Sequence, residues 1–162
     1  MRCVEMKKLG GIVGLTGAFR ESLSDLKDGS KVVFVGSPYV CTPFVELLAY
    51  AVRDRNFEMV FIPKTNDAEA RKLKDKGGIC YFISDEKADP TNPDAIVLFG
   101  GLAMPKFGCS AEEIVRLIER ISKQKNPIIL GLSFMGIFKR QGWDRIFAFR
   151  TLVDASIEVE VQ

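Results

Sequence analysis

The 162-residue sequence contains no histidine. That removes every Ser–His–Asp or Cys–His nucleophile system and every imidazole-ligated metal site. An excess of one charge is also missing: 23 Lys and Arg against 21 Asp and Glu leave a net charge of +2. So even a balance gives no electrostatic drive toward nucleic acid or an anionic membrane surface, and neither is expected as a partner. The four cysteines, Cys3, Cys41, Cys80 and Cys109, contain no C-x-x-C pair, so neither a zinc ribbon nor a two-cysteine redox motif can be drawn and no metal site is expected. The longest apolar stretches are far short of the ~20 residues of a membrane helix, and the segment from Met1 to Lys8 lacks the apolar stretch of a signal peptide. The expectation is a cytoplasmic protein with reduced thiols.

What is present is an ordinary globular composition, 47% apolar and 27% charged, at a length that suits one domain over residues 1–162. Val32–Gly36 is a continuous apolar run, the mark of a strand buried on both faces of a parallel sheet. Thr42-Pro43 then predicts a helix reaching about Asp54, with Thr42 as N-cap and Pro43 in the first turn. Glu58–Ile62 reads as a second strand and Asp67–Lys76 as a polar helix, capped by Asn66 and Glu69 and ended by Gly77-Gly78. Ile79–Ile83 and Ala95–Phe99 read as strands three and four, and Pro127–Leu132 as strand five. Between the last two, Ser110-Ala-Glu-Glu113 forms a capping box for a helix whose Ile114, Leu117, Ile118 and Ile121 share one face. Ile157, Val159 and Val161 alternate with Glu158 and Glu160, which predicts an antiparallel edge strand after another near residues 145–150.

Strand–helix alternation implies an α/β fold, a Rossmann-like three-layer sandwich. The link from Ser84 to Asp94 holds two prolines and no apolar stripe, so it forms no helix. Fully extended it reaches roughly 36 Å, enough to cross two strands, and the mostly parallel sheet then has the order 3-2-1-4-5 with antiparallel C-terminal strands. In that order the chain reverses between strands one and four, and open α/β sheets bind ligands at the carboxyl ends beside such a reversal. The residues there are Gly36, Ser37, Pro38, Cys41 and Thr42 after strand one and Gly100 and Gly101 after strand four, with Ser133 at the end of strand five. Glycine permits close approach of backbone to ligand, and the N-terminus of the central helix favours an anion. A small anionic or nucleotide-like ligand is the expectation, with Lys106 as the nearby cation. Against it, glycine after a strand is common turn chemistry, and Gly36-Ser-Pro-Tyr is not G-x-G-x-x-G. Gly11-x-x-Gly14-x-x-Gly17 also lacks that spacing and reads as a hinge or turn.

Two side chains carry intrinsic chemistry. Cys41, at the start of the central helix, sits where a thiolate is stabilised. Glu46, one turn on, is the acid–base candidate, with a salt bridge as its plainer role. Tyr39-Val-Cys-Thr-Pro-Phe44 is similar to the cysteine-bearing helix start of peroxiredoxins, but Pro38 stands where that pattern has threonine. Cys80 reads as core. Phe134-Met-Gly-Ile-Phe138 and Trp143 form an apolar group that either covers the crevice or makes a subunit contact. Together with the alternating C-terminal strand this predicts a homodimer.

The stretches Val35–Asp54 and Phe99–Pro105 resemble an archaeal family of Rossmann-like proteins of unknown function, met chiefly in methanogens and their relatives. The resemblance implies the fold and a cytoplasmic location; it implies no activity, cofactor or catalytic residue. Three readings stay open from the residues: a binding module or enzyme at the sheet reversal, a thiol-dependent redox protein using Cys41, and a structural subunit with no ligand.

Overall fold

The computed structural model describes residues 5–162, so Cys3 lies outside the described residues. The chain is α/β. It forms one seven-stranded sheet in the order β4-β3-β2-β1-β5-β6-β7. The strands are β1 (Lys31–Gly36), β2 (Glu58–Pro63), β3 (Arg71–Asp75), β4 (Tyr81–Lys87), β5 (Ala95–Phe99), β6 (Ile128–Phe134) and β7 (Thr151–Ala155). Helices α1 (Gly11–Ser22) and α2 (Thr42–Ala51) cover one face. Helices α3 (Ala111–Ile121), α4 (Ile137–Arg140) and α5 (Trp143–Ile146) cover the other. β3 alone runs against its neighbours, because both of its pairings are antiparallel while every other pairing is parallel.

The central strands are buried on both faces, as their unbroken apolar sequences require. Val32 and Phe34 of β1 point into the core beneath α1 and α2. Val33 and Val35 point into the core beneath α3. The capping box of α3 forms in full: Glu113 N–H donates to Ser110 Oγ at 3.2 Å and Ser110 N–H to a Glu113 carboxylate oxygen at 2.7 Å. Its stripe buries Ile114, Leu117 and Ile121 to 1% exposure or less, about 1.5–3 kcal/mol of apolar burial for each side chain.

Several expected elements differ. Residues 67–76 are not a helix; they form one 3-10 turn, Asp67–Glu69, and then β3. Asn66 makes no side-chain cap bond. Leu73 is the single apolar residue of Arg71–Asp75 and is buried, while Lys74 and Asp75 stay exposed. That burial suits a half-wet strand, and Ala70, three residues before Leu73, packs on the opposite core and so shares no helical stripe with it. Gly77 and Gly78, with φ of +59° and +78°, turn the β3–β4 hairpin instead of ending a helix. The third expected strand thus begins at Tyr81 and is separated from β2 by β3, so the order gains a strand inside the expected 3-2-1-4-5.

The connection from β4 to β5 crosses the α3 face without a helix. The Lys31 ammonium donates to the carbonyls of Asp89 and Thr91, each at 2.9 Å, and its backbone N–H to Asp94 at 2.8 Å. The C-terminus also differs. α4 and α5 form a crossover after β6, so β7 is parallel to β6, and residues 156–162 have no regular structure. The antiparallel strands lie at the opposite edge of the sheet. Gly14 and Gly17 sit inside α1, not in a hinge: Leu15 and Phe19, one turn apart, anchor that helix to the core. Phe138 and Trp143 are buried, stacked at 5.3 Å between centroids, and form core rather than a surface patch.

Candidate functional site

β1 and β5 are neighbours at the centre of the sheet, and the helices that follow them leave on opposite faces. Their carboxyl ends therefore diverge, which is the geometry that opens a crevice in an α/β sheet.

The loop after β1 folds back on itself. Cys41 N–H donates to the Ser37 carbonyl at 2.9 Å and Val40 N–H to the Pro38 carbonyl at 2.8 Å. Ser37 N–H donates to the Cys41 sulfur at 3.3 Å. The buried Ser37 hydroxyl donates to the Phe107 carbonyl at 2.7 Å and so ties this loop to the one after β5. The N–H groups of Ser37, Val40 and Cys41 are thus already used within the protein. Cys41, not Thr42, is the N-cap of α2, with no side-chain cap bond; its αR backbone places Thr42 as the first helical residue.

The glycines serve packing. A Cβ on Gly36 would stand 2.7 Å from Cys41 Cβ, and one on Gly101 would overlap the Cys41 sulfur. A Cβ on Gly100 would stand 2.7 Å from Ile137 Cγ2 and 2.9 Å from Ser133 Cβ. Gly36 and Gly101 clasp Cys41, while Gly100 lets β5 approach β6 and α4.

Beside this clasp lies a cavity of 290 Å³. Val40, Cys41 and Phe44 line it from α2 and its entry loop, and Phe99, Gly100, Gly101 and Met104 from β5 and its exit. Leu132, Phe134, Met135, Ile137 and Arg140 line it from β6 and α4. The Phe44 and Phe134 rings meet at 4.5 Å between centroids. Among the described residues Arg140 is the one charged lining residue, exposed at the rim, with one guanidinium N–H donating to the Met135 carbonyl. Tyr39, in the loop after β1, and Met135 are exposed non-glycine residues with φ of +67° and +55°. Such strain costs of order 1–3 kcal/mol and clusters at ligand clamps and active sites.

Of the residues singled out in the sequence, Cys41, Gly100 and Gly101 line the cavity, whereas Gly36, Ser37, Pro38, Thr42 and Ser133 do not. The Ser133 hydroxyl donates to Asp154 at 2.7 Å, and the same carboxylate accepts Gly136 N–H at 2.9 Å, so Ser133 fixes the turn after β6. Glu46 accepts Ile83 N–H at 3.0 Å, a strut from α2 to the edge strand β4. Lys106 is exposed and lines no part of the cavity. Burial pushes the Cys41 thiol up from its ordinary value, against the opposing effect of the Ser37 and Gly101 N–H groups. Burial and the Glu113 carboxylate push Cys109 up to about 11. Cys80 is half-buried in the hairpin turn, not core. Among the described residues no three His, Cys, Asp or Glu side chains group to hold a metal ion, and no helix is long and apolar enough to cross a membrane. Sequence reasoning missed Arg140, Phe44 and Met104 as lining residues. Phe134, Met135 and Ile137 were visible as an apolar group after strand five.

A larger groove of 570 Å³ opens between α1 and α2, lined by Arg20, Leu47, Tyr50, Arg53 and Asp54 among others. Its charged groups have partners within the groove: Arg20 pairs with Asp54 at 2.6 Å, and Arg53 lies over the Tyr50 ring, 4.1 Å from its centroid.

Residues 10–158 match the sequence profile of a family described as uncharacterized proteins conserved in archaea (DUF2124). An uncharacterized protein of Methanothermobacter thermautotrophicus is 37% identical over 154 residues, covering 95% of each chain. Another, from Methanocaldococcus jannaschii, is 41% identical over 152 residues, covering 91% of this chain and 89% of its own. The crystal structure of a protein of unknown function from Methanothermobacter thermautotrophicus superposes with a TM-score of 0.87 at 35% identity, covering 100% of this chain and 99% of that one.

Proposed function

The chain belongs to this archaeal family of uncharacterized proteins, and we propose that it binds a small molecule with an apolar body and one acidic head in the cavity at the sheet reversal. The observation that carries this reading is the cavity itself: 290 Å³ with apolar walls and, among the described residues, Arg140 as its one charge. Its size is at the lower end of the ~300–1,000 Å³ usual for ligand sites, which are likewise mostly apolar with a few placed polar groups. A guanidinium at the rim pairs best with a planar carboxylate. A phosphate cradle fits less well, because three N–H groups of the loop after β1 are bonded within the protein and Lys106 lies off the cavity. Our reading therefore favours an apolar carboxylate over a nucleotide. A redox role for Cys41 gains no support, since burial holds the thiol in its protonated, less nucleophilic form. The free thiols of Cys41, Cys80 and Cys109 suit a reducing compartment, so we place the protein in the cytoplasm.

The test is a thermal-shift series of straight-chain, branched and aromatic carboxylates, their matching alcohols, nucleotides and phosphosugars. Ligand at a hundred times its Kd stabilises the folded state by about 2.7 kcal/mol. The expected result is stabilisation by an apolar carboxylate over its alcohol, a preference lost in Arg140→Gln. Stabilisation by no compound, or by nucleotides with Arg140→Gln unchanged, would overturn the reading.

A further inference from the structure

Among the described residues β7 is the last strand of the sheet and pairs on one side only, with β6. Its side chains alternate between the two faces: Val153 and Ala155 pack on the core beneath α1 and α2, Leu152 on the opposite core. The segment that follows keeps this parity. Ile157, Val159 and Val161 are odd-numbered like Val153 and Ala155; Glu158 and Glu160 are even-numbered like Leu152. Yet residues 156–162 form no strand, and Ile157, Val159 and Val161 are 58%, 78% and 90% exposed. A period-two segment with one apolar face, joined directly to an open sheet edge, matches the requirements of a strand that lacks its partner.

From this parity, we infer that residues 156–161 of one copy add as an antiparallel strand to the β7 edge of a second copy, reciprocally about a two-fold axis, giving a homodimer with one continuous sheet. Antiparallel pairing centred on Ser156 places Ile157 opposite the partner's Ala155 and Val159 opposite the partner's Val153, and opposed residues in such a pair share a face. The tail's apolar side chains then lie on the α1 side of the partner's sheet, where α1 turns Ile12 and Val13 outward at 59% and 84% exposure. Glu158 and Glu160 fall on the other side, where Glu158 meets the partner's exposed Asp154, an unfavourable like-charge pair, and α4 and α5 carry exposed Lys139, Arg140 and Arg145 against Asp144. The apolar match in this register, Ile157 with Ala155 and Val159 with Val153, thus favours a second copy of this chain as the occupant. The isologous arrangement closes on itself, whereas parallel edge addition would leave a free edge at each end and propagate.

Light scattering and sedimentation across a concentration series test the pairing. The full chain is expected at twice the 18.0 kDa monomer mass at high micromolar concentration. A chain ending at Ala155, and separately the double variant Ile157→Lys/Val159→Lys, are expected to halve in mass with unchanged circular dichroism. Amide hydrogens of residues 157–161 should be protected in the dimer and lose that protection on dilution. A full chain that stays monomeric at high micromolar concentration overturns the inference, as does a dimer that survives in the lysine variant. If the shortened chain fails to fold, the lysine variant decides alone. None of these outcomes depends on ligand at the cavity.

Discussion

Cys41 fills the space in front of Gly101: a side-chain carbon at position 101 would overlap the Cys41 sulfur and stand 3.2 Å from Val40 Cγ1. With Gly36 on its other side, Cys41 holds the two loops of the sheet reversal at a fixed separation. Its thiol works as a spacer, and the cavity takes its shape from that spacing.

Gly101→Ala is therefore expected to destabilise the protein by about 1–3 kcal/mol, the usual cost of overpacking. In a Cys41→Ala background the same substitution should cost much less, because the overlapping atom is gone. Urea unfolding of the two single variants and the double variant gives the coupling energy, expected within ~0.5–3 kcal/mol for residues in contact. Additive costs would show that Gly101 answers to something other than Cys41.

Glu46 acts on the fold through Ile83. Glu46→Ala leaves a part-buried backbone donor without its acceptor and is expected to cost about 1–3 kcal/mol. Glu46→Gln keeps an acceptor and should cost less. Amide exchange at Ile83 is the local readout: it should speed up in the alanine variant and change little in the glutamine variant.

Acid stability should depend on two exposed carboxylates. Hydrogen bonds from Lys72 and Lys74 hold Glu86 down to about 2, and one from Arg20 holds Asp54 down to about 2. The unfolded chain protonates these groups first as pH falls, so their contribution is complete above the ordinary carboxylate value of ~4 and is lost on approach to about pH 2. Urea midpoints at descending pH should fall less steeply for Glu86→Gln than for the wild type, and added salt should shrink the difference.

Thiol labelling should separate the cysteines. Among the described cysteines Cys80, half-buried in the hairpin turn, is expected to react first with a neutral maleimide. Cys41, 3% exposed and with its thiol pushed up by burial, should react only as fast as the fold opens. Mass spectrometry of digests after timed quenching reads both rates. Rapid labelling of Cys41 in the folded protein would reopen the redox reading.

Local signals in the sequence were reliable where one residue answers another a few positions away. Ser110 and Glu113 specify a capping box whatever the rest of the chain does, and it forms as expected. Gly77-Gly78 is ambiguous at that range, since the same pair ends a helix or turns a hairpin, and only the position of Leu73 in the core decides. The alternation of Ile157, Val159 and Val161 with Glu158 and Glu160 predicts an antiparallel strand there, after another near residues 145–150, but the strand forms between the two, as β7 at Thr151–Ala155, and runs parallel. The short helices that bring it round parallel start from left-handed Gly136 and Gly142, too few residues for a helical period to show. At the site, Gly36, Gly100 and Gly101 marked the right loops for an incomplete reason. Glycine after a strand indicates close approach, but whether a ligand or a cysteine approaches is settled by the partner across the gap. Arg140 carries no local mark at all.

The hairpin of β3 and β4 sets an order in time as well as in space. It closes through a short turn and can form as soon as its own residues are made, whereas β1 waits for β5, which follows the whole hairpin in the chain. On a ribosome that has released residues up to about the hairpin, Val32–Val35 has β2 on one side and a bare apolar edge on the other. Long-range pairings of this kind are slow to form and prone to association while they wait. Association is therefore expected to compete most while β1 awaits β5, and Lys31, by gripping the carbonyls of Asp89 and Thr91, ties the segment leading into β5 to the start of β1.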